Sequence, residues 1–262
     1  MRAKKSLGQH FLASKGTLDK IIDAAGIAPD EIVLEIGPGT GVLTEKLLKW
    51  AGKVIAVEKD RELLPLLQEK FKGEIAAGRL DLVEQDILSF DPASLRPHDN
   101  PYLVVANIPY YITGALLEKF LGSGYQPTRM VLLVQKEVAE RIAREEKGSL
   151  LSNSVKAYGV PRYVGTVKRG SFVPPPKVDS AILLIEGISK KNFEGKKEEE
   201  RFFGVLKAGF AHKRKLLAGN LAARYGKEKA AAAFRAAALP EKARAEELSI
   251  EKWRSLARML KT

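Results

Sequence analysis

Asn107-Ile108-Pro109-Tyr110 is the stretch whose residue types carry the plainest chemistry. Pro109 excludes Ile108 from the helical region and brings no N–H of its own. The result is a rigid corner at which one side-chain amide and backbone carbonyls can face a ligand. A strand-to-helix turn, with the Asn capping its own backbone, is the competing reading. A second group lies upstream. Gly37-Pro38-Gly39-Thr40-Gly41 is a tight glycine loop, and Glu58 and Asp86 each follow an apolar run. Glycines let a backbone approach a ligand closely, and an acid at the end of the second strand can accept from both hydroxyls of a ribose. Asp86 can accept from the exocyclic amine of an adenine, or stand as a surface-loop acid.

Two cofactors suit the glycine loop and its acid. A dinucleotide wants G-x-G-x-x-G, with a helix N-terminus free for the pyrophosphate. Here the spacing is G-x-G-x-G, and Glu35 before the loop can meet a cationic amino group. S-adenosylmethionine has a ribose, an ammonium and a sulfonium but no phosphate, and is favoured over a nicotinamide cofactor. A ligand-free structural turn is the third option.

The elements that must position these residues alternate between strand and helix. Residues 31–36, 53–57, 80–83, 103–106, 130–134, 160–167 and 181–185 read as strands. Helical spacing opens at Thr17 and ends at Gly26, and recurs after the glycine loop, from Thr113 to Leu121, from Lys136 and from Gly148 to Lys156. Residues 91–100 read as a loop. The first two strands and the helix between them form a βαβ unit, and the Asn107 corner sits at the carboxyl end of a later strand, where open α/β sheets bind ligands. Phe172-Val173-Pro174-Pro175-Pro176-Lys177 is an extended loop whose prolines hold Phe172 in place. The boundaries expected are a catalytic domain over 1–187 (with a basic leader at 1–16 that docks), a linker over 188–197 and a helical, basic domain over 198–262.

The bulk numbers limit the partners. The 262 residues carry a net charge of +12, and Arg201 to Thr262 holds fifteen Lys/Arg against five Glu and no Asp. So one-sided an excess points to nucleic acid rather than to paired surface charges. Zero cysteines remove disulfides, thiolate metal sites and cysteine nucleophiles, and three scattered histidines suggest no metal site. No apolar run approaches the ~20 residues of a membrane span, and the basic N-terminus lacks a secretory signal's apolar stretch. The expectation is a cytoplasmic protein without metal or membrane.

Taken in order, the motifs resemble those of the S-adenosylmethionine-dependent ribosomal RNA adenine dimethyltransferases, in particular the KsgA type that modifies small-subunit RNA. The resemblance covers nearly the full length. It runs from Gly8-Gln9-His10-Phe11-Leu12 through Glu35-Ile36-Gly37-Pro38-Gly39-Thr40-Gly41, Asn107-Ile108-Pro109-Tyr110 and Gln135-Lys136-Glu137-Val138. It continues through Phe172 to Ser180 and ends on Arg244-Ala245-Glu246-Glu247-Leu248-Ser249. It implies an α/β fold: a Rossmann-like methyltransferase domain with a smaller all-helical C-terminal domain. It also implies that His10, Leu12, Gly37, Gly39, Glu58, Asp86 and Asn107 contact S-adenosylmethionine, with Glu58 on the ribose and Asp86 on the adenine. His10 departs from the Asn that many relatives carry there. Asn107, Ile108, Pro109 and Tyr110 would form the target-base site, with Phe172 on the base's other face. Lys213, Arg214 and Lys215 would grip RNA phosphates. The small ribosomal subunit is then the partner and the protein a monomer.

Three other readings compete. A resistance-type adenine dimethyltransferase acting on large-subunit RNA shares the Asn-x-Pro-Tyr motif, but the C-terminal domain and the proline loop favour the small-subunit enzyme. A non-catalytic RNA-binding assembly or transcription factor needs none of Gly37, Gly39, Glu58, Asp86 and Asn107. A nicotinamide dehydrogenase is the remotest.

Overall fold

The computed structural model describes residues 4, 8–98 and 101–261. Residues 1–3 and 5–7 of the expected leader, residues 99–100 of the 91–100 loop and Thr262 lie outside the described residues. The chain divides into two compact units, Met1–Glu140 with Val160–Ile188, and Arg141–Gly159 with Ser189–Thr262.

The first unit opens with a short strand, β1 (Phe11–Leu12), and helix α1 (Lys15–Ala25). Ser14 Oγ accepts from the Thr17 N–H to cap α1, and Gly26 ends it in the left-handed region at φ 51°. Thr17, Leu18, Ile21, Ile22 and Ala25 form the buried face that the helical spacing predicts. Then come β2 (Ile32–Ile36), α2 (Val42–Leu47), β3 (Lys53–Glu58), α3 (Leu64–Lys70), α4 (Lys72–Ala76), β4 (Leu80–Glu84), β5 (Tyr102–Asn107), α5 (Thr113–Gly122) and β6 (Met130–Gln135). Helix α6 (Lys136–Ala143) leads out of the unit, and α7 (Leu150–Lys156) follows it. Strands β7 (Val160–Val167), β8 (Phe172–Val173) and β9 (Ser180–Glu186) complete the unit. Residues 92–98, read as loop, wind into a 3-10 turn.

The main sheet has the order β4-β3-β2-β5-β6-β9-β7. Strands β2 to β6 pair in parallel, and β9 and β7 run antiparallel. Every residue of β2, and β5 as far as Ala106, is buried, so these strands read as near-continuous apolar runs, interrupted in β2 by Glu35, rather than alternating ones. The order reverses between β2 and β5. At such a switch point a crevice opens beyond the strands' carboxyl ends, and both the glycine loop and Asn107 lie there. No helix among the described residues is long and apolar enough to cross a membrane.

The second unit holds α7, α8 (Lys196–Gly209), α9 (Leu217–Tyr225), α10 (Lys227–Ala236) and α11 (Ile250–Met259) around a core that includes Phe202, Leu206, Leu221, Phe234, Trp253 and Leu256. The expected boundary at 187 misses its inclusion of residues 141–159. The reason is polar as well as apolar. Tyr158 stacks on Phe203 and donates to Glu199, Asn192 donates to the Ala157 carbonyl at 2.7 Å, and the Gly148 N–H donates to the Glu246 carbonyl at 2.7 Å. These long-range partners leave no composition signal in the sequence.

Candidate active site

The crevice is a cavity of about 290 Å³, near the lower end of small-molecule sites, lined by the glycine loop, the ends of β3 and β5, and residues 8–11. Gly37, Gly39 and Gly41 all adopt positive φ, at 67°, 61° and 75°. The three differ in what surrounds them. A Cβ on Gly37 would meet open space, one on Gly39 would come within 3.0 Å of Phe11, and one on Gly41 within 2.5 Å of Phe71. Gly37 therefore leaves backbone bare to the cavity, while Gly41 lets α3 and the residue after it pack closely.

Glu58 ends β3 beside this loop. Its Oε2 accepts from the Gly39 N–H at 3.1 Å and its Oε1 from the Asp60 N–H at 2.8 Å. Burial raises its carboxyl pKa, and those backbone donors hold it back. A carboxylate has about four lone-pair sites, so two remain for hydroxyls in the cavity. Asp86 lines the cavity further out; Oδ2 accepts from Lys59 Nζ at 2.7 Å and Oδ1 from the Leu88 N–H at 2.9 Å, which together keep it low and ionised. Glu35 is different. It is 1% exposed and does not line the cavity, so it offers no contact to a ligand's amino group. Burial pushes its carboxyl up to about 8, with Thr44 beside it but outside hydrogen-bond geometry.

At the end of β5, Asn107 Nδ2 donates to the His10 carbonyl at 2.9 Å. A carbonyl only accepts, so this bond sets which way the amide faces and leaves Oδ1 as the atom available to a donor in the cavity. Ile108, Pro109 and Tyr110 line the same wall. The Tyr110 backbone is held in a 3-10 turn, its carbonyl accepting from Thr113 Oγ1 at 3.0 Å, and its ring stacks with His10 at 6.4 Å and 22°. His10 Nδ1 donates to the Pro174 carbonyl at 2.7 Å.

The side chains of two expected site residues, Leu12 and Phe172, turn away from the cavity. Strand β1 pairs antiparallel with β8, setting Phe11 opposite Val173 and Leu12 opposite Phe172. Side chains alternate along a strand, so Phe11 reaches the cavity while Leu12 and Phe172 turn into the core with 5% and 2% exposure. Burying such a side chain is worth about 1.5–3 kcal/mol, and neither lines the cavity.

Lys213, Arg214 and Lys215 lie on an exposed turn between α8 and α9 in the second unit. Asn220, 3% exposed, shapes that turn by donating to the carbonyls of Gly209 and His212 at 2.7 and 3.1 Å. Residues not anticipated at the site include Gln9, Lys59, Gln85 and Tyr111, and Gln9 is tied through Asp60 to Lys4. Asp60, 4% exposed, accepts from Lys4 Nζ and Gln9 Nε2, each at 2.7 Å. It reads from sequence as a helix cap, and nothing local marks it as a partner for residues some fifty positions away.

A family model described as ribosomal RNA adenine dimethylase matches residues 1–262. A ribosomal RNA small subunit methyltransferase A of Dehalococcoides mccartyi is 46% identical over 98% of this chain and 88% of its own length. A protein of the same name from Synechococcus elongatus is 41% identical, over 97% and 93%. Among solved structures, a dimethyladenosine transferase from Plasmodium falciparum superposes with a TM-score of 0.77 at 30% identity, over 94% and 96% of the two chains. The 23S rRNA methyltransferase ErmE does so with a TM-score of 0.76 at 28% identity, over 95% and 99%. Matched over its whole length, and carrying the glycine loop, paired acids and Asn107 corner at one switch point, the chain belongs to the ribosomal RNA adenine dimethylase family.

Proposed function

We propose that this protein, a cytoplasmic monomer, transfers methyl groups from S-adenosylmethionine to the N6 amines of adenines, two adjacent ones, in small-subunit ribosomal RNA during subunit assembly. The observation that carries the reading is the oriented Asn107 amide at the switch point, opposite Glu58 and Asp86. The cofactor's parts match groups that line the cavity. Glu58 has lone pairs left for a ribose, Gly37 leaves open space where a side chain would stand, and Asp86 has the acceptor chemistry for an adenine amine.

When bound, the cofactor supplies an electrophilic methyl on a sulfonium. The residues of this chain do the rest. An adenine N6 is a weak nucleophile because its lone pair is conjugated with the ring. Asn107 Oδ1 and the Ile108 carbonyl accept from that amine, draw it towards a tetrahedral shape and stabilise the positive charge that develops there, an electrostatic preorganisation. Pro109 keeps the corner rigid and so holds the amine in line for transfer. The base leaves its stack to reach the corner, and Tyr110 offers it a face, a contact worth about 1–3 kcal/mol per base. The methylated cation is acidic enough to release its proton to solvent, so no general base is needed.

Transfer of labelled methyl to unmodified small ribosomal subunits, with large-subunit RNA alongside, tests this. Label appearing as dimethyladenine in the small subunit alone is the expected result. Label only in large-subunit RNA would assign the substrate of the resistance-type enzymes. None in either, with cofactor bound, would leave an RNA-binding factor.

A further inference from the structure

We infer that Ser180 is a positioning residue for the target base, acting through the hydroxyl of Tyr110; this rests on the function proposed above. Ser180 Oγ and Tyr110 Oη lie 2.7 Å apart in a hydrogen bond that joins positions seventy residues apart. Ser180 is the first residue of β9 and is 0% exposed. Its backbone sits between two antiparallel neighbours, opposite Gln135 of β6 and Val167 of β7. The residue before it is tied as firmly. The Asp179 carbonyl accepts from the Lys136 N–H, and its carboxylate accepts from the Arg169 N–H and from Lys168 Nζ, all at 3.0 Å. Ser180 thus presents its hydroxyl from one of the most constrained places in the sheet.

Tyr110 needs such an anchor. Its backbone is held by the 3-10 turn, but a tyrosine ring still turns about two side-chain bonds. A hydrogen bond at the far end of the ring removes that freedom. His10 stacks against the ring rather than bonding its hydroxyl, so it limits the tilt without pinning the end. With both ends held, the ring plane that meets an unstacked adenine is set before the base arrives. Orientation is where such a contact acts, since a misplacement of about 1 Å costs up to ~10²-fold in rate. The Ser-Tyr bond spans from β5 across β6 to β9, so it also couples the Asn107 corner to the start of β9. Neither side chain alone would suggest this, because a buried Ser at a strand end ordinarily satisfies its own backbone.

The test is a double-mutant cycle of Ser180→Ala with Tyr110→Phe, read as single-turnover methyl transfer at saturating cofactor. Each single variant is expected to slow transfer roughly tenfold, within the range that misorientation allows, while the melting-temperature shift produced by S-adenosylmethionine stays as in the parent. The double variant should be no slower than the slower single one. Additive losses would overturn the proposal, because Ser180 would then act independently of the Tyr110 hydroxyl. A second readout needs no turnover: tyrosine labelled at Cζ with carbon-13, with the Tyr110 resonance identified by its loss in Tyr110→Phe. Ser180→Ala should move that resonance and leave the other six; an unmoved Tyr110 resonance would also overturn the proposal. Absence of transfer by the parent protein would overturn the functional reading and this role with it, whatever the resonance shows.

Discussion

Asn107, half-buried, and Glu35, fully buried, show how differently two polar side chains on neighbouring strands behave. Asn107 has one end committed to the His10 carbonyl and the other aimed at the cavity. Its replacement by Ala removes an acceptor placed for charge that exists only during transfer. Losing one such preorganised group costs about 10²–10³ in rate, and single-turnover transfer by Asn107→Ala should fall by that much; an unchanged rate with cofactor still bound would refute the mechanism. Glu35 does no such work. Its carboxyl is pushed up to about 8 by burial, well above the ~4.3 of an unfolded chain. The folded state therefore holds the proton through a range in which the unfolded state has released it. Stability from this group is complete below about pH 4, declines as pH rises through the interval, and levels off above pH 8. Glu35→Gln keeps the shape without a titrating proton, so its unfolding midpoint in urea should match the parent below about pH 4 and exceed it at pH 9. At this scale the sequence was a good guide to Glu58, Asp86 and Asn107, whose positions at strand ends follow from the apolar runs before them. It could not show that the side chains of Leu12 and Phe172 turn inward, because which face of a two-residue strand does so depends on a partner strand about 160 residues away.

Elements are where small residues matter most. Gly209, at the end of α8, has helical neighbours and no obvious need for glycine in the sequence, yet an added Cβ there would lie 2.4 Å from Trp253 and 2.9 Å from Leu217. Trp253 is 0% exposed and has no room to withdraw. Overpacking of this kind costs about 1–3 kcal/mol, so Gly209→Ala should lower the urea midpoint of the second unit. Trp253 reports on it, since the protein's other tryptophan, Trp50, lies in the first unit and is 58% exposed. An unchanged Trp253 transition would mean that the bundle repacks freely. The same contrast holds in the glycine loop. Gly37→Ala meets open space around the Cβ but forces alanine to φ 67°, so it should cost about 1–2 kcal/mol of left-handed backbone strain and weaken cofactor binding, measured as a smaller ligand-induced rise in melting temperature. The positions of the main strands were legible because parallel strands are buried on both faces and read as apolar runs. The second unit's claim on residues 141–159 was not, since it depends on Tyr158, Asn192 and Glu246 finding partners that no local pattern announces.

Across the whole molecule, the +12 charge concentrates in the final quarter, and Lys213, Arg214 and Lys215 are its most exposed run. Cations on a turn that is shaped from beneath by Asn220 can change without disturbing the core. Substituting all three by Ala should therefore alter stability by no more than about 0.5 kcal/mol for each surface position. Their effect belongs to long-range attraction. Each cation that neutralises a phosphate releases counterions, and the slope of log affinity against log salt steepens by about 0.7–0.9 per contact. If these three grip ribosomal RNA, the triple variant should bind small-subunit RNA more weakly at low salt, with a slope shallower than the parent's by roughly two to three. The affinities of the two proteins should then converge as salt is raised, because the lost interaction is the one that salt screens. The cofactor-induced rise in melting temperature should stay as it is, since Glu58, Asp86 and Asn107 belong to the other unit. A slope equal to the parent's would mean that these charges serve solubility and that RNA is held elsewhere on the protein.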